Sequence, residues 1–386
     1  MNSTFRLGRF AGIEVGVNWT WIFVFALVTW SLATVVFPNQ NPGLADGTYW
    51  TMAAAAAVLF FLSILLHEFG HALQARRDDV EIEGITLWLL GGVAKFRGFY
   101  RTPGAAFRIA VMGPVVTLII VAVLLAAAAV VPMPEPVGAV VAWLAYINLI
   151  VLVFNLLPAL PLDGGRILHA ALWRARSSLG WATRVAAGIG RGFGFLLIGI
   201  GVAVILFGAG FGGIWLVVIG WFISMAAESE ARHLLAREAL TGLRVRDLMS
   251  RDVITVEPDV TVGRFMDEVA RGTRYTTYPV MRGERPVGLL NFRAVADVPR
   301  DRWDTQAVGE CMRSLDEVPQ LAPDEPAPEA LTEVATSDIH RALVMEHGRL
   351  VGILSVTDLA RAVDMGLGRR PDATDTQRRI EAGAGA

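Results

Sequence analysis

Between Thr51 and Ala75 the sequence is almost wholly apolar, and its only ionisable groups are His67, Glu68 and His71. An ionisable side chain in a membrane-spanning segment costs at least ~2.5–3.5 kcal/mol on insertion scales, so three within five residues call for a compensating partner. Positions i and i+4 share a helix face, so both imidazoles can hold one metal ion. Glu68 lies ~100° further round the helix, beside the open position of such a metal. Zinc held there lowers the pKa of its water to ~7, and Glu68 is the base placed to take the proton.

Two histidines leave a catalytic zinc short of protein ligands, since such sites usually have three. About 90 residues further on, FNLLPALPLDGGR carries Asp163, the one acidic residue between Glu135 and Glu228. Pro158 and Pro161 prevent a regular helix there, and Gly164 and Gly165 let the backbone turn sharply. A broken helix presenting a carboxylate is a reasonable source of the third ligand. The alternative is an ordinary helix start, with Asp163 as the N-cap of ILHAALW. Asn155, a polar group in an apolar run, either bonds between helices or donates to the oxyanion of a peptide tetrahedral intermediate.

The elements that must position these residues are membrane helices. A span needs ~20 apolar residues. Six candidates stand at roughly 17–37, 50–75, 106–131, 137–160, 193–210 and 211–227. The last two are short, Gly-rich and joined by GAGFGG, which predicts a tight helical hairpin, with one long kinked segment as the alternative. Lys and Arg fall in alternate loops, and FPNQNPGLADGTY and VPMPEP contain neither. The positive-inside rule therefore places both termini in the cytosol of a multi-pass cell-membrane protein. Residues 82–99 are too short and Gly-rich to span; Thr86 to Leu89 favour extended structure and Gly91-Gly92 marks a turn. They read as a re-entrant β-hairpin entering from the cytosolic side, or as one lying on the membrane surface.

Composition agrees with a split chain. Of 386 residues, 54% are hydrophobic and 18% charged, too apolar for an ordinary soluble protein and too charged for one embedded throughout. The shift comes near residue 228. A net charge of −2 gives no reason to invoke nucleic acid. The single cysteine, Cys311, excludes an intramolecular disulfide and a Cys-rich zinc cluster, and fits a reducing compartment for the polar half. The start MNSTFRLGRF lacks the apolar core and cleavage site of a signal peptide. His169 reads as a helix-surface or interfacial histidine rather than a metal ligand.

His67-Glu68-x-x-His71 together with Asn155-x-x-Pro158-x-x-x-Leu162-Asp163-Gly164 resembles the site-2 protease family, intramembrane zinc proteases that cut transmembrane segments of other proteins. The resemblance covers residues 1 to about 227, including the Gly91-Gly92 hairpin and Gly113-Pro114. It implies one zinc per chain held by His67, His71 and Asp163, with Glu68 as catalytic base and Asn155 as a transition-state or substrate-positioning residue. The hairpin at 82–99 would help hold substrate as an extended strand. The resemblance also implies substrates such as anti-sigma factors or other single-pass regulators.

Residues 244–364 contain two similar units. PVMRGERPVGLLNFRAVADV aligns with LVMEHGRLVGILSVTDLARAV, and Gly288 and Gly352 set a period of 64 residues. Each unit reads as helix, strands joined by a turn, then helix. The whole resembles a pair of cystathionine-β-synthase (CBS) domains, which implies an adenine nucleotide (ATP, ADP or AMP) between the repeats and a homodimer formed through them. Gly352, Ser355 and Asp358 match the ribose- and phosphate-contacting pattern. The first repeat has Asn291 and Ala294 at the positions of Ser355 and Asp358, so at most one complete nucleotide site is expected. The alternative is a purely structural or dimerising module with Asp358 as a helix-end residue.

The expected architecture is thus an α-helical polytopic membrane domain over 1–228, with six transmembrane helices and the β-hairpin. A linker at 229–243, CBS repeats at 244–300 and 301–364 forming a cytosolic α/β domain, and a disordered tail at 365–386 complete it. A CBS-regulated transporter or channel is the competing reading; it predicts polar residues spread along several spans, whereas here they concentrate in two motifs.

Overall fold

The computed structural model describes residues 4–88, 91–97, 102–208, 212–273 and 275–369. The chain forms two compact units, Met1–Arg232 and His233–Ala386. The first opens with an antiparallel hairpin, β1 (Phe5–Phe10) and β2 (Ile13–Val17). Next come α1 (Trp19–Ser31), a π turn, α2 (Phe37–Gln40), α3 (Asp46–Arg77), β3 (Glu81–Trp88) and β4 (Gly91–Arg97). The helices α4 (Pro103–Val130), α5 (Glu135–Asn155), α6 (Asp163–Arg176), α7 (Leu179–Leu206) and α8 (Gly212–Leu240) follow.

Among the described residues six helical segments are long and apolar enough to cross a membrane: Trp19–Gln40, α3, α4, α5, α7 and α8. The Gly-rich hairpin expected at 193–227 is present, but both helices are longer, starting at Leu179 and running on to Leu240. Arg184 and Arg191 hid the start of α7 from an apolar count, and residues 229–240, expected as linker, continue α8. Small residues draw the two together: a side chain at Gly201 would come 2.6 Å from the Gly213 carbonyl oxygen, and one at Gly194 the same distance from that of Gly220. Helices that approach so closely associate by backbone packing, as small-residue faces do in membranes.

The N-terminal strands and the 81–97 hairpin make one mixed sheet in the order β1-β2-β3-β4. Strand β2 runs parallel to β3, with Val15 opposite Ile85 and Val17 opposite Leu87. Ile13 and Ile85 pack on Ala72 of α3, with Leu65 and Phe69 alongside, so the sheet lies against the His67–His71 turn. The expected turn at Gly91-Gly92 is corrected: Trp88 pairs with Gly91 and Leu87 with Gly92, so both glycines are in the strand. The connecting residues 89 and 90 lie outside the described residues.

In the second unit the helices α9 (Val245–Leu248), α10 (Val262–Glu268), α11 (Phe292–Ala296), α12 (Val308–Cys311), α13 (Ala327–Thr336) and α14 (Val356–Arg369) alternate with short strands. The strands β5 (Thr277–Arg282), β6 (Arg285–Asn291) and β7 (Arg313–Ser314) form one sheet; β8 (Gln320–Leu321), β9 (Arg341–Glu346) and β10 (Arg349–Ser355) form the other. Gly283 and Gly348 turn the two hairpins with φ of 63° and 79°, a region glycine enters without strain. The repeats exchange their leading segments: Val245 packs in the core with Leu321, Val344 and Leu354, and Val308 packs with Phe265, Tyr278 and Leu290. Of the expected tail, 365–369 belongs to α14 and 370–386 lies outside the described residues.

Candidate metal centre

Helix α3 presents His67 and His71 on one face, one turn apart, and both are buried. Each ring is oriented by its Nδ1. His67 Nδ1 is 2.8 Å from Thr117 Oγ1, and that hydroxyl is 3.3 Å from the Gly113 carbonyl oxygen to which it donates. His71 Nδ1 donates to the Ile109 carbonyl oxygen at 2.7 Å. A carbonyl only accepts, and a threonine hydroxyl already donating accepts too, so both imidazoles carry their proton on Nδ1. Both Nε2 lone pairs then face the same point.

Asp163 meets them there. It is the first residue of α6, whose N-cap is Leu162. A helix does start here, as the alternative had it, but the Asp163 carboxylate does not cap it. Asp163 Oδ2 is 3.1 Å from His67 Nε2, Asp163 Oδ1 is 3.3 Å from His71 Nε2, and the two nitrogens are 3.2 Å apart. With both ring protons on Nδ1, neither Nε2 donates to the carboxylate, which faces two lone pairs. Asp163 Oδ2 is buried without a hydrogen bond.

The donor set fits a zinc ion. Three buried acceptors converge with no proton between them, an arrangement that repels itself unless a cation stands at the centre. Tetrahedral ligands ~2.0–2.2 Å from zinc stand about 3.3–3.6 Å from one another; the two nitrogens are 3.2 Å apart, and each has one carboxylate oxygen of Asp163 at 3.1 or 3.3 Å. Zinc bound there would supply Lewis-acid polarisation and acidify water.

Two glycines make room for this chemistry. A side chain at Gly113 of α4 would overlap the His71 ring and come 2.7 Å from His67 Cε1. One at Gly92 of β4 would overlap the Glu68 side chain and stand 3.2 Å from its Oε1. Glu68 thus lies between α3 and β4, within electrostatic reach of His71, His67 and Asp163. Gly164 and Gly165 are helical, not turn residues; a side chain on either would overlap the backbone of residues 156–160, which folds back over the first turn of α6. Asn155 ends α5, half-buried, and makes no side-chain hydrogen bond among the described residues.

His169 is buried rather than on a helix surface, with Nε2 2.9 Å from Thr183 Oγ1 of α7. Arg166, one turn after Asp163, pairs with Glu230 of α8 at 3.3 Å. Helix α6 is thereby tied to both following helices. Sequence reasoning missed Thr117, whose signal was a lone hydroxyl one turn beyond Gly113-Pro114. It also missed the role of Gly92 and the whole β1–β2 hairpin.

In the second unit, Gly352 lies against residues 249 and 250, where a side chain would come 2.9 Å from the Ser250 carbonyl oxygen. Ser355 and Asp358 bond each other across the first turn of α14: Ser355 Oγ donates to Asp358 Oδ2 at 2.6 Å, and the Asp358 amide donates back to Ser355 Oγ at 3.2 Å. Asn291 caps α11 alone, accepting from the Arg293 amide.

A buried His-His-Asp centre between the spanning helix α3 and the first turn of α6, with a carboxylate beside it, is the site of a membrane metalloprotease. The description Peptidase family M50 matches residues 55–136 and 131–200, and the CBS domain matches 245–301 and 308–364. The chain is 39% identical over 381 residues to Rip3 of Mycobacterium tuberculosis, named for a zinc metalloprotease, covering 97% of each. It is 29% identical over 368 residues to zinc metalloprotease MJ0392 of Methanocaldococcus jannaschii, covering 95% of this chain and 97% of that one. The solved site-2 protease from Methanocaldococcus jannaschii aligns at 29% identity and a TM-score of 0.42, over 59% of this chain and 95% of that one. The chain belongs to the M50, or site-2 protease, family and carries a CBS pair.

Proposed function

We propose that the chain is an intramembrane zinc endopeptidase that hydrolyses peptide bonds within membrane-spanning segments of regulatory proteins, anti-sigma factors among them. The observation that carries this reading is the convergence of His67 Nε2, His71 Nε2 and the Asp163 carboxylate within 4.8 Å of one another. These three hold one zinc per chain. Glu68 takes the proton from the attacking water and returns it to the leaving amine. Asn155 donates to the developing oxyanion. β4 is the last strand of its sheet among the described residues, and a substrate unwound to an extended strand pairs along it. Both termini face the cytosol, and the CBS pair tunes activity by binding an adenine nucleotide and by pairing two chains.

The test is cleavage of a reconstituted single-span substrate by the full-length protein. Glu68→Gln is expected to lower turnover ~10²–10⁴-fold, the span of general acid–base catalysis, while zinc stays near one per chain. Full activity in Glu68→Gln would refute the mechanism. Zinc removal by a chelator should abolish cleavage, and zinc alone should restore it.

A further inference from the structure

The edge strand β1 is apolar on one face and cationic on the other. Phe5 pairs with Val17 and Phe10 with Ile13, so both aromatic rings share the sheet face of Ile13, Val15 and Val17. That face is buried where α3 covers it. Beyond that cover Phe5 and Phe10 are each 53% exposed, and Leu7, the extra residue of a β-bulge, is 57% exposed. Arg6 and Arg9 pair in register with Gly16 and Glu14, which puts them on the opposite face; both are exposed, and Arg6 Nε also meets Glu14 Oε1 at 2.9 Å, which leaves its terminal nitrogens to the outside and the face with one net positive charge.

The hairpin is pinned at both ends to helix termini that mark a membrane surface. Its second strand ends at Val17, and the first span starts at Trp19, capped by Asn18. At the other end the Ala11 carbonyl accepts from Arg76, in the last turn of α3. A strand fixed between the start of one span and the end of another lies in the interface, where apolar side chains enter the acyl boundary and cations meet phosphates.

We propose that β1 is a membrane-surface anchor: Phe5, Leu7 and Phe10 insert into the leaflet edge while Arg6 and Arg9 engage anionic phospholipid headgroups. The anchor bears on the metal centre because β2 runs beside β3, whose partner β4 carries Gly92 against Glu68.

The full-length protein with Cys311→Ser has no other cysteine, so a nitroxide can be attached through Leu7→Cys or, as an exposed control in the second unit, Asp301→Cys. Collision rates with dissolved oxygen and with a water-soluble nickel chelate are read in vesicles of pure phosphatidylcholine and of equal parts phosphatidylcholine and phosphatidylglycerol. In the mixed vesicles the oxygen-to-nickel ratio is expected to be several-fold higher at position 7 than at position 301, and lower again in pure phosphatidylcholine. Arg6→Glu with Arg9→Glu should remove the difference between the two vesicle types. A ratio at position 7 equal to that at position 301 in both vesicles overturns the anchor. A high ratio that ignores phosphatidylglycerol overturns its anionic specificity, and that comparison needs no variant of the arginines.

Discussion

At the scale of single residues, zinc affinity should depend on a side chain that never touches the metal. Thr117 accepts from His67 Nδ1 and so fixes which nitrogen faces Asp163. Thr117→Val keeps the shape and removes the acceptor, and it should weaken zinc binding ~10–100-fold, as loss of such supporting partners does. Thr117→Ser should bind like the parent, read by competition with a chromophoric chelator; equal affinity in the valine variant would exclude the role. His169 supplies a pH signature. Burial pushes its imidazole below the ordinary value near 6.5; Glu230 opposes that shift and Arg166 adds to it. The native state thus favours the neutral ring, and its contribution to stability is complete above that value. As pH falls below it the unfolded chain takes up the proton first, and stability is lost. Between about pH 8 and about pH 5 the apparent Tm of the parent should fall more than that of His169→Gln, and parallel curves would count against it. His67, Glu68, His71 and Asp163 were legible because charge in an apolar run stands out at once. Thr117 was not, since a hydroxyl in a span commonly bonds its own helix, and the Ile109 carbonyl has no sequence signature at all.

At the scale of elements, the close contacts of α3 with α4 and with β4 separate metal binding from proton transfer. Gly113→Ala drives a methyl into both imidazoles and should cost zinc itself, measured as metal content after purification. Gly92→Ala drives one into Glu68 and should leave zinc in place while kcat falls, by ~10²-fold for a displacement of about 1 Å. Zinc loss in both variants, or in neither, would mean that the two contacts do not divide the work. The hairpin itself was readable from Thr86 to Leu89, the last of which lies outside the described residues, but its glycines were read as a turn. A glycine that bends the chain and one that admits a neighbour are identical in sequence, because each only lacks a Cβ. The β1–β2 hairpin escaped for a different reason: Leu7 is an unpaired bulge residue, and it breaks the alternation by which a strand is recognised.

At the scale of the whole molecule, the second unit holds two repeats whose helix-start chemistry differs at equivalent positions. Asn291 and Ala294 stand 64 residues before Ser355 and Asp358. In the second repeat the Ser355 hydroxyl and the Asp358 carboxylate meet at 2.6 Å on one helical turn, a preorganised pair of a donor and an anionic acceptor. In the first repeat the Asn291 side chain bonds, among the described residues, the backbone of its own helix, and Ala294 offers no polar side-chain atom. A ribose needs an acceptor for its vicinal hydroxyls; the half-buried Asp358 carboxylate uses Oδ2 to accept from the Ser355 amide and hydroxyl and keeps Oδ1 for that task, and a charged acceptor is stronger there than a carboxamide. The full-length protein should therefore bind about one AMP or ATP per chain by calorimetry, not two. Asp358→Ala should weaken that binding at least ~10-fold, the worth of one charge-assisted hydrogen bond. Because Asp358 also caps α14, Asp358→Asn is the needed companion: it keeps a capping oxygen but removes the charge, so it should preserve the fold and still lose nucleotide. Binding at parental strength in Asp358→Asn would move the nucleotide elsewhere, and two equivalents per chain would restore the first repeat as a site.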